Sequence, residues 1–533
     1  MNFTFTALDW AFVVAYLIGS LWIGWRMSRR VDDAQDFYLG DKSTPWWAIG
    51  LSVAATYVGA TSFLGGPAWG YDAGLAASLI HINYPIAIVI VISVFLPIFY
   101  ALGSASIYDY LERRFGRSVR TLMSGVFLFS NVFYSALMLY TVALVFSLIT
   151  GWDIRWIIVL VAVFATTYTV MGGIGAVIWT DVLQTGFLLA GIIIAYVLVI
   201  GAADGETLSN LKAAGKTDAF ATTLDPAVVE TIWTGIFAMS IYHVTVYGVN
   251  QMMIQRTLAA KSLADAKKSY ILMGYLAFPV FFAFFFLGIL LFDHYGGREF
   301  ADSNQIILGF LNEFRVPGMM GFIAVAVIAA AMSSLDSSLN SMATVSTVDF
   351  YQVFARTDAS PEHYLKASRA FTVIWAVVII LPAFLFIGSE NSLVEILSKI
   401  GSFFVGARLS TYMLGFFSRR ANEAGVMVGI LAGFAALVGV EVGMDVAWPW
   451  YCLIGGGVSI AIGWLASIVV GRSAPDWHPM SVPGWRARYK GPERDGKWSL
   501  LPGVVDKASW VLLGYFGLCL LALWMLNALI PLA

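Results

Sequence analysis

Charge is what this sequence has least of. Only 12% of its 533 residues are Asp, Glu, Lys or Arg, about half the ~25% of an ordinary soluble protein. So few charges cannot cover a chain of this length with water-facing surface. The 31 basic residues nearly balance the 33 acidic ones, for a formal net charge of −2. No field of one sign is present to draw nucleic acid, and no such partner is expected. The two cysteines, Cys452 and Cys519, both sit inside apolar runs, which excludes a disulfide scaffold. No H-E-x-x-H, no G-x-S-x-G and no metal-spaced Cys/His cluster occurs, so the chain does not read as an enzyme. In their place stand apolar residues, 59% of the total. That excludes disorder and leaves a membrane protein whose apolar surface faces lipid.

The first apolar run, 7–27, has Asp9 near its start and Arg26, Arg29 and Arg30 at or after its end. A secretory signal carries its positive charge in front, so this run reads as a retained helix. Thirteen more runs of spanning length lie near 46–70, 75–103, 118–150, 155–172, 176–202, 228–253, 267–293, 317–347, 367–388, 392–417, 423–443, 446–470 and 507–531. The expected fold is therefore all-α and polytopic, with about fourteen transmembrane helices. With the N-terminus outside, 24 of the 31 Lys and Arg fall in inside loops, as the positive-inside rule requires. Both termini are then outside, in a multi-pass plasma membrane protein of the bacterial inner-membrane kind.

Four segments break the rules of the hydrocarbon layer. Residues 52–74 carry Gly59, Gly65, Gly66 and Pro67 inside an apolar run. This marks either a kinked packing helix or a loosened one whose freed carbonyls suit a small hard cation. In 330–347, Ser333, Ser337, Asn340, Ser341 and Thr344 recur at three- and four-residue steps beside Asp336. They line one helical face with oxygen, as interhelical glue or as an ion pathway, and Asp336 needs a partner or an ion. In 172–184 a Gly pair precedes Asp181 and Gln184; Asp181 there is either an interfacial carboxylate near a helix start or a buried functional one. Residues 236–251 are interrupted by Ser240, His243, Thr245, Gly248, Asn250 and Gln251. An interrupted helix in each half of a transporter points to a binding site between inverted repeats.

The stretches GGIGAVIWTDVLQ (172–184), NQMMIQRTLAAKS (250–262) and SSLDSSLNSMATVSTVDFY (333–351) resemble the sodium/solute symporter family, in order and in register from about residue 8 to about 440. The resemblance implies a leucine-transporter-type core of two five-helix inverted repeats within a single transport domain. The repeats would be 46–202 and 228–417. The helix 7–27 would precede them, and three helices in 423–531, with an inside loop at 471–507, would follow. It also implies Na+ as coupling ion and no other cofactor. By the same resemblance Ala55, Val58 and Ala330 would offer carbonyls to Na+, and Ser333 and Ser334 hydroxyls. A second cation site would use Asp181, Asp336 and Ser337. Where sugar-transporting members often carry a hydroxyl, Asp336 would strengthen cation binding or admit protons, leaving one or two ions per cycle.

The substrate positions depart from the sugar-transporting members. Ser62, His81 and His243 stand where those members use Gln, Glu and Asn, and Val246, next to Tyr247, stands where they use an aromatic gate. A hexose site leaves no hydroxyl unpaired, so the loss of these donors argues against a plain hexose. Arg408, in an apolar helix, would hold a substrate carboxylate, pair with a buried acid such as Asp336, or snorkel to an edge. The expected function is sodium-coupled import of a small polar organic solute, carboxylate-bearing before sugar, by alternating access. The rivals are a sodium/sugar symporter and an ion channel or membrane sensor. The partners expected are the solute, Na+ and the bilayer, with no obligatory protein partner.

Overall fold

The computed structural model describes residues 5–300, 303–314, 316–388, 393–471, 476–488, 494–495, 498–499 and 501–529. Helix α1 (Ala7–Ser28) starts at Thr6, whose hydroxyl and the Asp9 carboxylate cap each other's backbone amides. Asp9 also accepts from the Gly321 amide at 2.5 Å, so one carboxylate closes α1 and pins it to a helix more than 300 residues away. Next comes a broken pair, α2 (Trp46–Tyr57) and α3 (Ala60–Ala73), interrupted at Val58 and Gly59. Lys216 caps α3 by donating to the carbonyls of Tyr71 at 2.9 Å and Asp72 at 2.7 Å. Segment 74–102 follows, mixing 3-10, α and π turns.

The long helices α4 (Arg117–Thr150) and α5 (Ile154–Ala202) come next. A second broken pair is formed by α6 (Met239–Gly248) and α7 (Gln251–Leu258). Then follow α8 (Leu263–His294), α9 (Met319–Val345), α10 (Pro361–Leu385) and α11 (Leu393–Phe417). Helices α12 (Glu423–Gly443), α13 (Pro449–Val470) and α14 (Lys507–Leu529) complete the set. The one sheet among the described residues is a two-residue antiparallel ladder, β1 (Arg494–Asp495) with β2 (Trp498–Ser499).

Ten helices among the described residues are long and apolar enough to cross a membrane, where fourteen runs were expected. The differences have local causes. Residues 62–102 are one apolar helical stretch past the break at Val58–Gly59, so runs 46–70 and 75–103 count once. Runs 155–172 and 176–202 are two helices, as expected, that meet at a kink at Gly173 within α5 and also count once. Run 228–253 is cut at Val249–Asn250, and the side chains of 393–400 at the start of α11 lie outside the described set. Within α5, Gly173 has φ 54° and ψ −146°. A Cβ there would stand 2.6 Å from the Phe37 carbonyl oxygen, so glycine is required where the two spans meet. Pro67 does not break its helix as expected; α3 continues through it.

Helix α9 is the axis of the molecule: the stretch from Met319 to Ala355 is 94% buried in its most apolar window, against 22% for α14. The outer helices turn Leu385, Val442 and Val469 outward, as spans that face lipid do. Helices α3 and α8 approach closely through glycine, since a Cβ on Gly288 would lie 1.9 Å from the Pro67 carbonyl oxygen and one on Gly70 2.0 Å from that of Phe285. Small residues permit such backbone contact in membranes. Gly288→Val should therefore lower the thermal midpoint of the detergent-purified protein, by about 1–3 kcal/mol of stability or more. Gly186→Ala, which meets nothing within 4 Å, should leave it unchanged.

Candidate functional site

The chain leaves helical geometry at Val58 (φ −85°, ψ 77°) and Gly59 (φ −82°, ψ −179°). This backbone is extended rather than left-handed, so glycine is not what forces it. What holds it is the partner helix. The Ser333 hydroxyl lies 3.0 Å from the Ala55 carbonyl oxygen and 2.9 Å from that of Ala330. The Ser334 hydroxyl donates to the Thr56 carbonyl at 2.8 Å. Carbonyls freed at membrane depth need such donors, because no water reaches them. Ala55, Val58, Ala330 and Ser333 line one cavity of about 60 Å³, with Gln184 and Thr185 on its α5 side. Ser334 is fully buried but faces Thr56 instead of this cavity. Oxygens about 3 Å apart are close enough to share one hard cation, whose ligands sit at roughly 2.3–2.6 Å for an ion the size of Ca2+.

Beside this cavity lies a buried charge cluster. Asp181 accepts from the Ser52 hydroxyl at 2.5 Å and pairs with Arg256 at 3.3 Å, both side chains at 0% exposure. Arg256 also donates to the Ser52 carbonyl at 2.8 Å, to the Thr56 hydroxyl and, through Nε, to the Met252 carbonyl at 3.0 Å. Asp336 accepts from Tyr168 at 2.9 Å and Thr180 at 3.3 Å, with the Ser337 hydroxyl 3.3 Å from its other oxygen. Ser337 in turn lies 3.3 Å from the Thr56 hydroxyl. Thus Asp181, Asp336 and Ser337 fall around one turn of α2. The group holds two carboxylates and one guanidinium. Asp181 Oδ1 and Arg256 Nη2 lack hydrogen-bond partners.

Two adjoining cavities, of about 80 and 120 Å³, share Tyr57, Tyr134, Tyr242 and Gly401. Ser62 and His81 line the larger, Val246 and Arg408 the smaller. His243 and Tyr247 do not line either. His243 is fully buried behind the wall, its ring nitrogens bonded to Asn83 at 2.5 Å and the Tyr57 hydroxyl at 3.3 Å. Tyr247 packs against Tyr57 with ring centroids 5.7 Å apart. Arg408 does not pair with Asp336. It is 6% exposed, donates to the Ser130 hydroxyl, and leaves Nε without a partner.

Sequence reasoning missed Arg256, which it counted among inside-loop charges although the structure buries it completely. The polar sequence Asn250, Gln251, Gln255, Arg256 along a short helix was the available signal. It also missed Tyr57, Tyr134 and Tyr242. With 23 tyrosines and 38 phenylalanines in the chain, no aromatic position stands out.

Among proteins of known kind, the family model described as sodium:solute symporter family matches residues 37–433. A sodium/glucose cotransporter from Vibrio parahaemolyticus is 29% identical over 450 residues, covering 79% of this chain and 82% of that one. Human sodium-coupled monocarboxylate transporter 1 is 28% identical over 428 residues, covering 78% and 70%. The substrate-bound outward-open structure of a Na+-coupled sialic acid symporter superposes with a TM-score of 0.80 at 26% identity, over 88% of this chain and 99% of that one. The likeness places the helices described above in a leucine-transporter-type fold.

The Asp181–Arg256 pair generates a stability prediction. Removing one buried partner strands the other charge at a cost of about 3–5 kcal/mol. Arg256→Leu alone should sharply lower the melting temperature. Adding Asp181→Asn to Arg256→Leu should recover part of that loss, and a strictly additive double variant would show the two groups to be uncoupled.

Proposed function

The chain belongs to the sodium:solute symporter family, and from that premise we propose that it imports a small carboxylate-bearing solute together with Na+ by alternating access. As a member of that family it is a sodium-coupled, multi-pass membrane symporter and not an enzyme, and Na+ and a small solute are its cargo. In this reading Na+ is held by the carbonyls of Ala55, Val58 and Ala330 and by Ser333. Ser334 orders the same backbone through Thr56. Residues 46–202 and 228–417 act as inverted repeats, supported by the break near the start of each, at Val58–Gly59 and Val249–Asn250. Termini outside is the orientation favoured by the loop charges, even with Arg256 removed from the count.

One observation carries the choice of solute. Arg408 is a buried guanidinium on a cavity wall, with no acidic partner among the described residues. A cation left so in a membrane interior is costly, and a carboxylate arriving with the solute relieves it. Its planar fork matches a carboxylate in two hydrogen bonds. A hexose finds fewer matched groups: His81 Nδ1 is engaged with Tyr84 at 3.1 Å, and His243 is walled off.

Coupling then follows from position. Tyr57 precedes the sodium carbonyl of Val58 and lines both solute cavities. Ordering the break with Na+ therefore orders a shared cavity wall, and each ligand lowers the cost of binding the other. One Na+ per monocarboxylate moves no net charge. A second cation at Asp336 and Ser337 would make each cycle respond to voltage by about 2.3 kcal/mol per 100 mV.

Proteoliposome uptake tests this. A sodium gradient should drive accumulation, unlabelled solute should accelerate counterflow, and Ser333→Ala should raise the half-saturating Na+ concentration by roughly tenfold or more. Flux without counterflow would indicate a channel, and an unchanged sodium response would remove Ser333 from the ion site. Uptake insensitive to an imposed potential fixes the stoichiometry at one.

A further inference from the structure

The larger solute cavity is built for a ring. Its walls carry His81, Phe281, Phe285, Trp69, Tyr242 and Trp448. His81 lies flat against Phe281, with centroids 3.7 Å apart and planes 8° apart, and Phe285 lies 5.6 Å from His81 at 24°. Trp69 stands edge-on to Phe285 at 6.0 Å, and Trp448 edge-on to Tyr242 at 5.5 Å. These rings pack on one another, and what they leave toward the cavity is an aromatic lining that a ring-bearing guest meets favourably. Gly59, Gly65, Gly66 and Gly401 share the lining. Few polar groups turn inward. The Trp69 indole N–H is spent on Glu230 at 2.6 Å, and the Tyr57 hydroxyl lies against His243. The volume of about 120 Å³ approaches the ~150 Å³ of a cavity known to hold benzene.

The smaller cavity is set apart by its one charge, in a lining otherwise largely of tyrosine, methionine and valine. Arg408 meets Ser130 there, and Asn131, Thr245 and Asn250 share the lining. The two cavities meet at Tyr134, four residues along α4 from Ser130. At 1.5 Å of rise per residue, Ser130, the hydrogen-bond partner of Arg408, stands about 6 Å along α4 from Tyr134.

We propose that the solute is an aryl-alkanoate: an aromatic ring seated in the larger cavity and joined by a short alkyl chain to a carboxylate held at Arg408. The proposal rests on the carboxylate-symport reading and adds the ring and the spacer. Ring and carboxylate fall in different cavities, so the solute needs a spacer between them, which benzoate lacks.

The test is a thermal-shift series on the full-length purified protein in Na+ and in K+. Its probes are 4-phenylbutanoate, benzoate, hexanoate, lactate and the neutral amide 4-phenylbutanamide. Expected is a sodium-dependent rise in melting temperature that is largest for 4-phenylbutanoate, at an affinity about tenfold or more above that of hexanoate. The amide should give little rise. Phe285→Leu should weaken 4-phenylbutanoate about tenfold while shifting hexanoate less than twofold, and Arg408→Gln should abolish the preference for acid over amide. If either variant fails to fold, the ligand series on the unaltered protein decides alone. Hexanoate or lactate binding as well as 4-phenylbutanoate, or the amide matching the acid, overturns the aryl-alkanoate assignment and leaves sodium symport standing. No sodium-dependent response to any acid overturns this inference and the carboxylate reading together.

Discussion

Everything in this molecule turns on a gap of two residues in the hydrogen-bond ladder of one helix. At Val58 and Gly59 the backbone lets go of its own carbonyls in a place where water cannot replace the lost partners. A buried acceptor left alone costs several kcal/mol in an apolar medium. Ser333 and Ser334 on α9 meet that demand at Ala55 and Thr56, and Arg256 on α7 holds the same stretch of α2 by donating to the Ser52 carbonyl. Two helices distant in sequence, α7 and α9, are thereby tied to one turn of α2. A hydroxyl is a donor only by orientation. Turned the other way it presents lone pairs, and the same oxygens that satisfy one another can then surround an alkali ion.

The break lies beside the two cavities proposed for the solute. Tyr57 and Gly59 flank Val58 and line the larger of them, while Val58 itself lines the cavity of about 60 Å³ with Ser333. In the proposed reading, a change in how the break is held reaches the solute walls through Tyr57. Coupling free energies of about 1–3 kcal/mol are typical where two sites bias one structural element, and a shared two-residue hinge is such an element. Arg256 and Asp181 hold α2 from the side opposite the solute. Beyond the break, α3 packs against α8 in close backbone contact through Gly70 and Gly288.

Legibility in the sequence followed the physics of each signal. The oxygen-lined face of α9 could be read because serine, asparagine and threonine at three- and four-residue steps are rare in an apolar helix without a reason. The break in α2–α3 was located, but by the wrong cause: Pro67 sits inside an intact helix, and the geometry at Gly59 is open to any residue. Arg256 was hidden because loop-charge counting assumes that arginine near the end of an apolar run lies in water, whereas α7 carries it inward to Asp181. The tyrosines between the two cavities were invisible, since aromatic residues are spread throughout the chain. His243 and Tyr247, expected to line the cavity, pack behind its wall, because a composition-level reading does not resolve which side of α6 faces the cavities.

The most direct measurement of the central claim is hydrogen exchange of the membrane-embedded protein in Na+ against K+, read on peptides covering 50–62 and 328–338. The account predicts that Na+ slows exchange in both segments together, because one ion bridges the unwound turn and the serine helix. Protection confined to one segment, or identical exchange in the two cations, would contradict it.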